Sequence, residues 1–125
     1  MFEFDERTKQ LHVTRGNSGI LEVTADNQDG NQYEFQVGDV VRFKVFKRKD
    51  CGCVELQKDI EVKEACLSVD VPVTSEETKI GDLINKPKDY WYEVELNPDT
   101  NCKTLVGFDK DGEKLFTLYP EGDEK

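Results

Sequence analysis

Long apolar runs are missing from this 125-residue chain. No stretch approaches the roughly 20 apolar residues that a membrane-spanning helix needs, so a helical span is excluded. Bases are scarce as well: 17 Lys and Arg stand against 27 Asp and Glu, a formal charge of −10. Phosphate binding wants clustered Lys and Arg, so a nucleic-acid backbone is not the expected partner, and an anionic membrane surface is disfavoured for the same reason. Histidine occurs once. His12 alternates with Leu11 and Val13 and is expected to face outward. A general base needs a nucleophile or an orienting carboxylate in reach, and no G-x-S-x-G or H-E-x-x-H motif accompanies this one. No enzymatic activity is expected. The Met1–Glu6 start lacks the basic residues and apolar run of a signal peptide, so the chain is expected to fold in a cytoplasm with its cysteines reduced.

Apolar positions spaced at 3.6 residues are nearly absent too. What is present instead is alternation with period two, the signature of strands with one buried and one wet face. Val41, Phe43 and Val45 oppose Arg42 and Lys44. Val54, Leu56, Ile60 and Val62 oppose Glu55, Gln57, Asp59 and Glu61. Ala65, Leu67, Val69, Val71 and Val73 oppose Cys66, Ser68, Asp70 and Pro72, while Tyr90, Tyr92, Val94 and Leu96 oppose Trp91, Glu93 and Glu95. Further strands are expected at Phe2–Asp5 and Gln10–Thr14 as an opening hairpin, at Ile20–Ala25, at Tyr33–Val37, and at Lys103–Phe108 and Lys114–Tyr119 as a closing hairpin. Thr74 with Glu77 has capping-box spacing and predicts one short helical turn. About nine strands at this spacing predict a single all-β domain over residues 1–125. A two-sheet antiparallel sandwich of immunoglobulin-like architecture is the first choice, and a closed barrel the second.

Cys51, Cys53, Cys66 and Cys102 could in principle hold a tetrahedral zinc, but one C-x-C and two single cysteines are not the paired knuckles of structural zinc sites. The acidic turns Asp26–Asn31 and Asp109–Glu113 resemble fragments of a calcium loop. They lack the twelve-residue ligand spread, and Asp-Gly is also a preferred tight-turn pair. The chain is therefore expected to need no metal or cofactor. Tyr90 and Tyr92 belong to the core face. Trp91 shares the other face with Glu93 and Glu95, where an indole can anchor a protein interface or stack on a sugar.

One series of residues carries a family resemblance. Val13-Thr14-Arg15-Gly16-Asn17-Ser18-Gly19 leads into a strand, an Asp-Gly turn, and Gly38-Asp39-Val40-Val41-Arg42-Phe43-Lys44-Val45. Later come Thr78–Asp82 and Tyr90-Trp91-Tyr92-Glu93-Val94. This resembles the β-sandwich domains of phage and prophage tail or baseplate proteins, such as the N-terminal domain of baseplate upper proteins. Their opening segment reads hydrophobic-x-Arg-Gly-Asp-Ser/Thr; Asn17 stands where Asp is usual. The resemblance implies a non-enzymatic virion structural or adaptor protein, made in a bacterial host cytoplasm and then carried in the virion. It would act through contacts with itself or with other virion proteins, as a homo-oligomer or assembly component. Trp91, Arg15 and Asn17 are the expected interface residues. The competing expectations are a carbohydrate- or calcium-binding sandwich and an acidic inhibitor imitating nucleic acid.

Overall fold

The computed structural model describes residues 1–27, 30–47, 54–81, 83–100, 102–106 and 114–121. Among these the chain forms strands β1 (Phe2–Phe4), β2 (Leu11–Thr14), β3 (Gly19–Val23), β4 (Val40–Phe46), β5 (Val54–Glu61), β6 (Val69–Val73), β7 (Lys88–Leu96), β8 (Lys103–Val106) and β9 (Lys114–Tyr119), and no helix. Seven strands make one curled sheet in the order β1-β2-β9-β7-β4-β5, with β8 also on β7; β3 and β6 make a second, small sheet.

The alternation does what it predicts along β4, where Val41, Phe43 and Val45 are fully buried, and along β7, where Tyr90, Tyr92, Val94 and Leu96 all turn inward. Inward residues of both sheets join one core: Leu21 and Val23 of β3 and Val69, Val71 and Val73 of β6 meet Leu11, Val13, Phe116 and Leu118 of the large sheet. Each such side chain contributes about 1.5–3 kcal/mol by leaving water. β1 lies beside β3 and β5 beside β6, so the small sheet bridges the two edges of the large one.

Gly19 makes the first of these approaches possible. A Cβ there would fall 2.2 Å from Cγ of Phe2, so the missing side chain is what lets the ring lie on the β3 backbone. Overpacking of this kind costs about 1–3 kcal/mol. Gly19→Ala is therefore expected to lower the melting temperature by several degrees, and a scanning calorimetry trace unchanged from the parent would refute the contact.

The opening hairpin forms as expected, with Phe2 opposite Val13 and Phe4 opposite Leu11. The capping box is reciprocal: Glu77 N–H donates to Thr74 Oγ1 at 3.2 Å, and Thr74 N–H donates to Glu77 Oε1 at 2.8 Å. One helical turn closes behind it, Thr78 N–H donating to the Thr74 carbonyl at 3.2 Å.

Several expectations are corrected. The large sheet is mixed rather than antiparallel, because β2 runs parallel to β9 with Leu11 opposite Phe116. The closing hairpin is not formed among the described residues: Lys103–Val106 and Lys114–Tyr119 both pair with β7 rather than with each other. β7 pairs with β4 along one edge; β9 takes Lys88–Tyr92 and β8 takes Val94–Leu96 along the other, one after the other in the same direction. Tyr33–Val37 is not a strand: it contributes an isolated bridge between Phe35 and Cys66, and Phe35 is fully buried. That bridge also breaks the phase expected over Ala65–Val73. β6 begins only at Val69; Ala65 and Leu67 are exposed, and Cys66 is turned onto the core rather than outward. Cys51, Cys53 and the Asp109–Glu113 turn lie outside the described residues.

Asp39 ties the loop before β4 to the end of β7. Its Oδ2 accepts from the Tyr33 hydroxyl at 2.7 Å and from Gln36 N–H at 2.9 Å, and its Oδ1 accepts from Asn97 Nδ2 at 3.1 Å. Burial alone would raise this carboxyl, but the three donors outweigh it and hold it below the usual range. A carboxyl depressed in the folded state contributes stability that is present above its unfolded value, near pH 4, and lost as pH falls through the folded value. Asp39→Asn is expected to lose stability at pH 7 and to show a shallower fall in melting temperature between about pH 4 and pH 2 than the parent. Parallel acid profiles would refute this.

Candidate functional site

The outward face of β5-β4-β7-β9 is built around one cross-strand row. Phe46 is opposite Val54 on one side and Trp91 on the other, and Trp91 is opposite Leu115. Directly paired residues point to the same face, so these four apolar side chains lie side by side across about 14 Å of sheet. Phe46, Trp91 and Leu115 are half-buried and Val54 is 42% exposed. The sequence parity placed Val54 inward with Leu56. The register shifts between Val45 and Phe46, as at a β-bulge, and a one-residue slip carries a side chain to the opposite face. Trp91 itself lies outside the core, as its alternation with Tyr90 and Tyr92 predicts, and its indole N–H is buried with no hydrogen-bond partner among the described residues.

Charged pairs flank the row. Lys44 Nζ lies 5.4 Å from the centroid of the Phe46 ring and 3.3 Å from both Glu93 Oε1 and Glu95 Oε1. Burial alone would lower the Lys44 ammonium, but the two carboxylates raise it instead. One strand position further on, Arg42 grips Asp59 through two bonds, Nε–Oδ1 at 2.8 Å and Nη2–Oδ2 at 2.9 Å, and reaches Asp99 at 3.3 Å. The hydrogen bonds to Asp59 raise the guanidinium and depress the Asp59 carboxyl. Arg42 and Lys44 are thus already neutralised by Asp59, Asp99, Glu93 and Glu95, and the margin of the apolar row is net acidic.

Arg15 and Asn17 do not join Trp91. Thr14 is opposite Tyr119, four positions along β9 from Leu115, and β2 lies two strands from β7, so Arg15 begins more than about 13 Å from Trp91. Arg15 acts as a tie: Nη1 meets Glu121 Oε1 at 2.7 Å, Nη2 donates to the Gly81 carbonyl at 2.9 Å, and its N–H donates to the Tyr119 carbonyl at 3.0 Å. Asn17 is exposed, and its carbonyl accepts from the Thr78 hydroxyl at 2.9 Å. His12 is half-buried rather than free on the surface, with Nδ1 2.8 Å from the Tyr119 hydroxyl. Cys66 and Cys102 are free thiols; hydrogen bonding and repulsion from Glu95 add to desolvation in raising the Cys102 thiol.

A second feature was not expected from sequence. A cleft of about 330 Å³ opens between β3 and β8 and meets another of about 440 Å³ between β3 and β1; they share Phe4, Lys9, Leu21, Glu22 and Thr24. Leu105 and Val106 of β8 and Tyr92 and Val94 of β7 complete its floor. The Tyr92 hydroxyl donates to the Lys9 carbonyl at its end, and burial raises that hydroxyl well above the usual tyrosine range. Among the described residues no cluster of three or more His, Cys, Asp or Glu is placed to hold a metal ion, and no helix is long and apolar enough to cross a membrane.

Comparison with protein-family models, with curated proteins and with solved structures finds no match.

Proposed function

We propose that this chain is a non-enzymatic protein-interaction module that works through the outward face of β5-β4-β7-β9. The observation that carries this is the Val54–Phe46–Trp91–Leu115 row, an apolar band running across four strands of a face that would otherwise alternate to polar residues. Apolar bands of this kind with an aromatic centre and a charged margin are where binding energy concentrates. The immunoglobulin-like reading of the architecture has support in sheet membership. In that reading β9-β7-β4-β5 would take the places of strands G, F, C and C′ of a variable-type domain, and β3 with β6 those of strands B and E. The virion setting, in a tail or baseplate, rests on the resemblance of Val13–Gly19 and Tyr90–Val94, and the partner would be a second copy or another virion protein.

A central interface tryptophan costs about 2 kcal/mol or more when truncated. Trp91→Ala is therefore expected to weaken assembly at least tenfold, read by sedimentation over a concentration series of the chain alone and with its neighbours in a particle. Its circular dichroism should stay that of the parent β-protein. A variant that assembles as the parent does would sink the proposal, and one that unfolds would place Trp91 in the core instead.

A further inference from the structure

We propose that the free edge of β3 is a second binding site, which accepts an extended strand from a basic partner protein by β-augmentation. Among the described residues β3 pairs with β6 along one edge only. On its other side β1 touches it without forming a ladder, through Phe2 against Gly19. From Leu21 to Val23 that side opens into the cleft, and among the described residues no backbone hydrogen bond other than the β6 ladder engages these three residues; beyond them the Ala25 carbonyl accepts from Tyr33 N–H at 2.8 Å. An edge of this kind presents a row of N–H and C=O groups whose natural complement is another strand.

The floor fits such an occupant. A strand laid beside β3 would point alternate side chains inward, towards Leu105 and Val106, which are only partly buried, and towards Phe4, which is 37% exposed. Apolar residues at those alternate positions would complete the core layer that a two-stranded sheet leaves short over a much wider one. The remaining side chains of the occupant would point outward, level with Glu22.

The rim decides the charge. Glu6, Glu22 and Asp26 are exposed and take part in no ion pair among the described residues. Two lysines share the rim, Lys103 meeting the Asp26 carbonyl at 2.9 Å, so three carboxylates stand against two ammonium groups and the rim keeps a net negative charge. Cross-strand pairs of opposite charge are favourable and like charges opposite one another are not, so the outward positions of the occupant should be Lys or Arg. A second copy pairing β3 edge to β3 edge is the poorer occupant, since it would set Glu22 and its acidic surroundings against groups of the same sign.

Isothermal titration of the full chain with four capped nine-residue peptides tests this. The first alternates valine and lysine, the second and third are the same with one or the other alternate set of backbone amides N-methylated, and the fourth has glutamate for lysine. The lysine peptide is expected to bind. Methylation of one of the two amide sets, and replacement of lysine by glutamate, should each weaken it at least tenfold. Glu22→Lys, at an exposed position, should keep the parent melting temperature and weaken the lysine peptide at least fivefold. Amide exchange should slow at β3 residues when that peptide is bound. Failure of the lysine peptide to bind would overturn the proposal. So would equal binding of both methylated forms, which would mean attraction by charge without strand pairing. Exchange protection of β3 in a dimer of the chain alone would assign the edge to a second copy and overturn it as well. None of these readouts moves with Trp91, which lies on the opposite face of the large sheet from the cleft.

Discussion

Phe43→Ala is expected to lower the free energy of unfolding by about 3–5 kcal/mol, the range for emptying a buried aromatic site. Phe43 is fully buried at the centre of β4, between β5 and β7 in the ladder. Its ring lies 5.9 Å from Tyr92 and 6.5 Å from Phe116, tilted against both, so truncation removes contacts to two further strands at once. The strands on either side are hydrogen-bonded and cannot easily collapse into the space, which places the cost towards the upper end. Equilibrium urea unfolding would read it as a large drop in midpoint with little change in slope. A loss below about 1 kcal/mol would mean that the three rings do not form the centre of the core. Phe43→Leu, which keeps most of the volume, is expected to cost about 1.5 kcal/mol or less.

Thr78→Val is expected to cost roughly 1–3 kcal/mol, although it changes neither shape nor volume appreciably. Thr78 is fully buried. Its hydroxyl accepts from Gly16 N–H at 2.9 Å and donates to the Asn17 carbonyl at 2.9 Å, with the Ser75 carbonyl at 3.1 Å. It is the bond that fastens the turn after β2 to the helical turn after β6. Valine would leave the N–H of half-buried Gly16 and the carbonyl of exposed Asn17 without this partner, each at up to about 1–3 kcal/mol, less what water recovers at these part-exposed groups. Thr78→Ser keeps the hydroxyl and is the matching control; it should retain most of the stability by the same urea measurement. Equal losses in the two variants would show that the methyl group, not the hydroxyl, matters.

Thr78 also shows how far a sequence can be read. Its neighbours Thr74 and Glu77 announce a cap because their spacing brings two side chains onto two N–H groups three residues away, a purely local condition. Nothing local says that Thr78 will meet Gly16 and Asn17, more than sixty positions earlier in the chain. The same division runs through the candidate sites. Trp91 was legible as outward because Tyr90 and Tyr92 flank it with period two. Phe46 was equally legible, being in phase with Arg42 and Lys44. Val54 was not: its own strand reads it as inward, and only the shift of register against β4 turns it to the outer face. Leu115 could not be sorted either, because Lys114, Phe116, Thr117 and Leu118 around it are all buried.

Period-two alternation, turn residues and the capping box were enough by themselves to determine an all-β chain, most of its strands, the inward residues of β4 and β7, and the helical turn at Thr74. These depend on steric and hydrogen-bonding rules that act within a few residues. Tertiary structure alone decided which strands pair. β2 lies parallel to β9, β8 and β9 share one edge of β7, and β3 has one ladder partner among the described residues, with a cleft along its other side. An alternating strand satisfies its own faces equally well beside any partner and in either direction. The choice is made by how side chains from distant parts of the chain fill one core, and that sum is not written in any single segment.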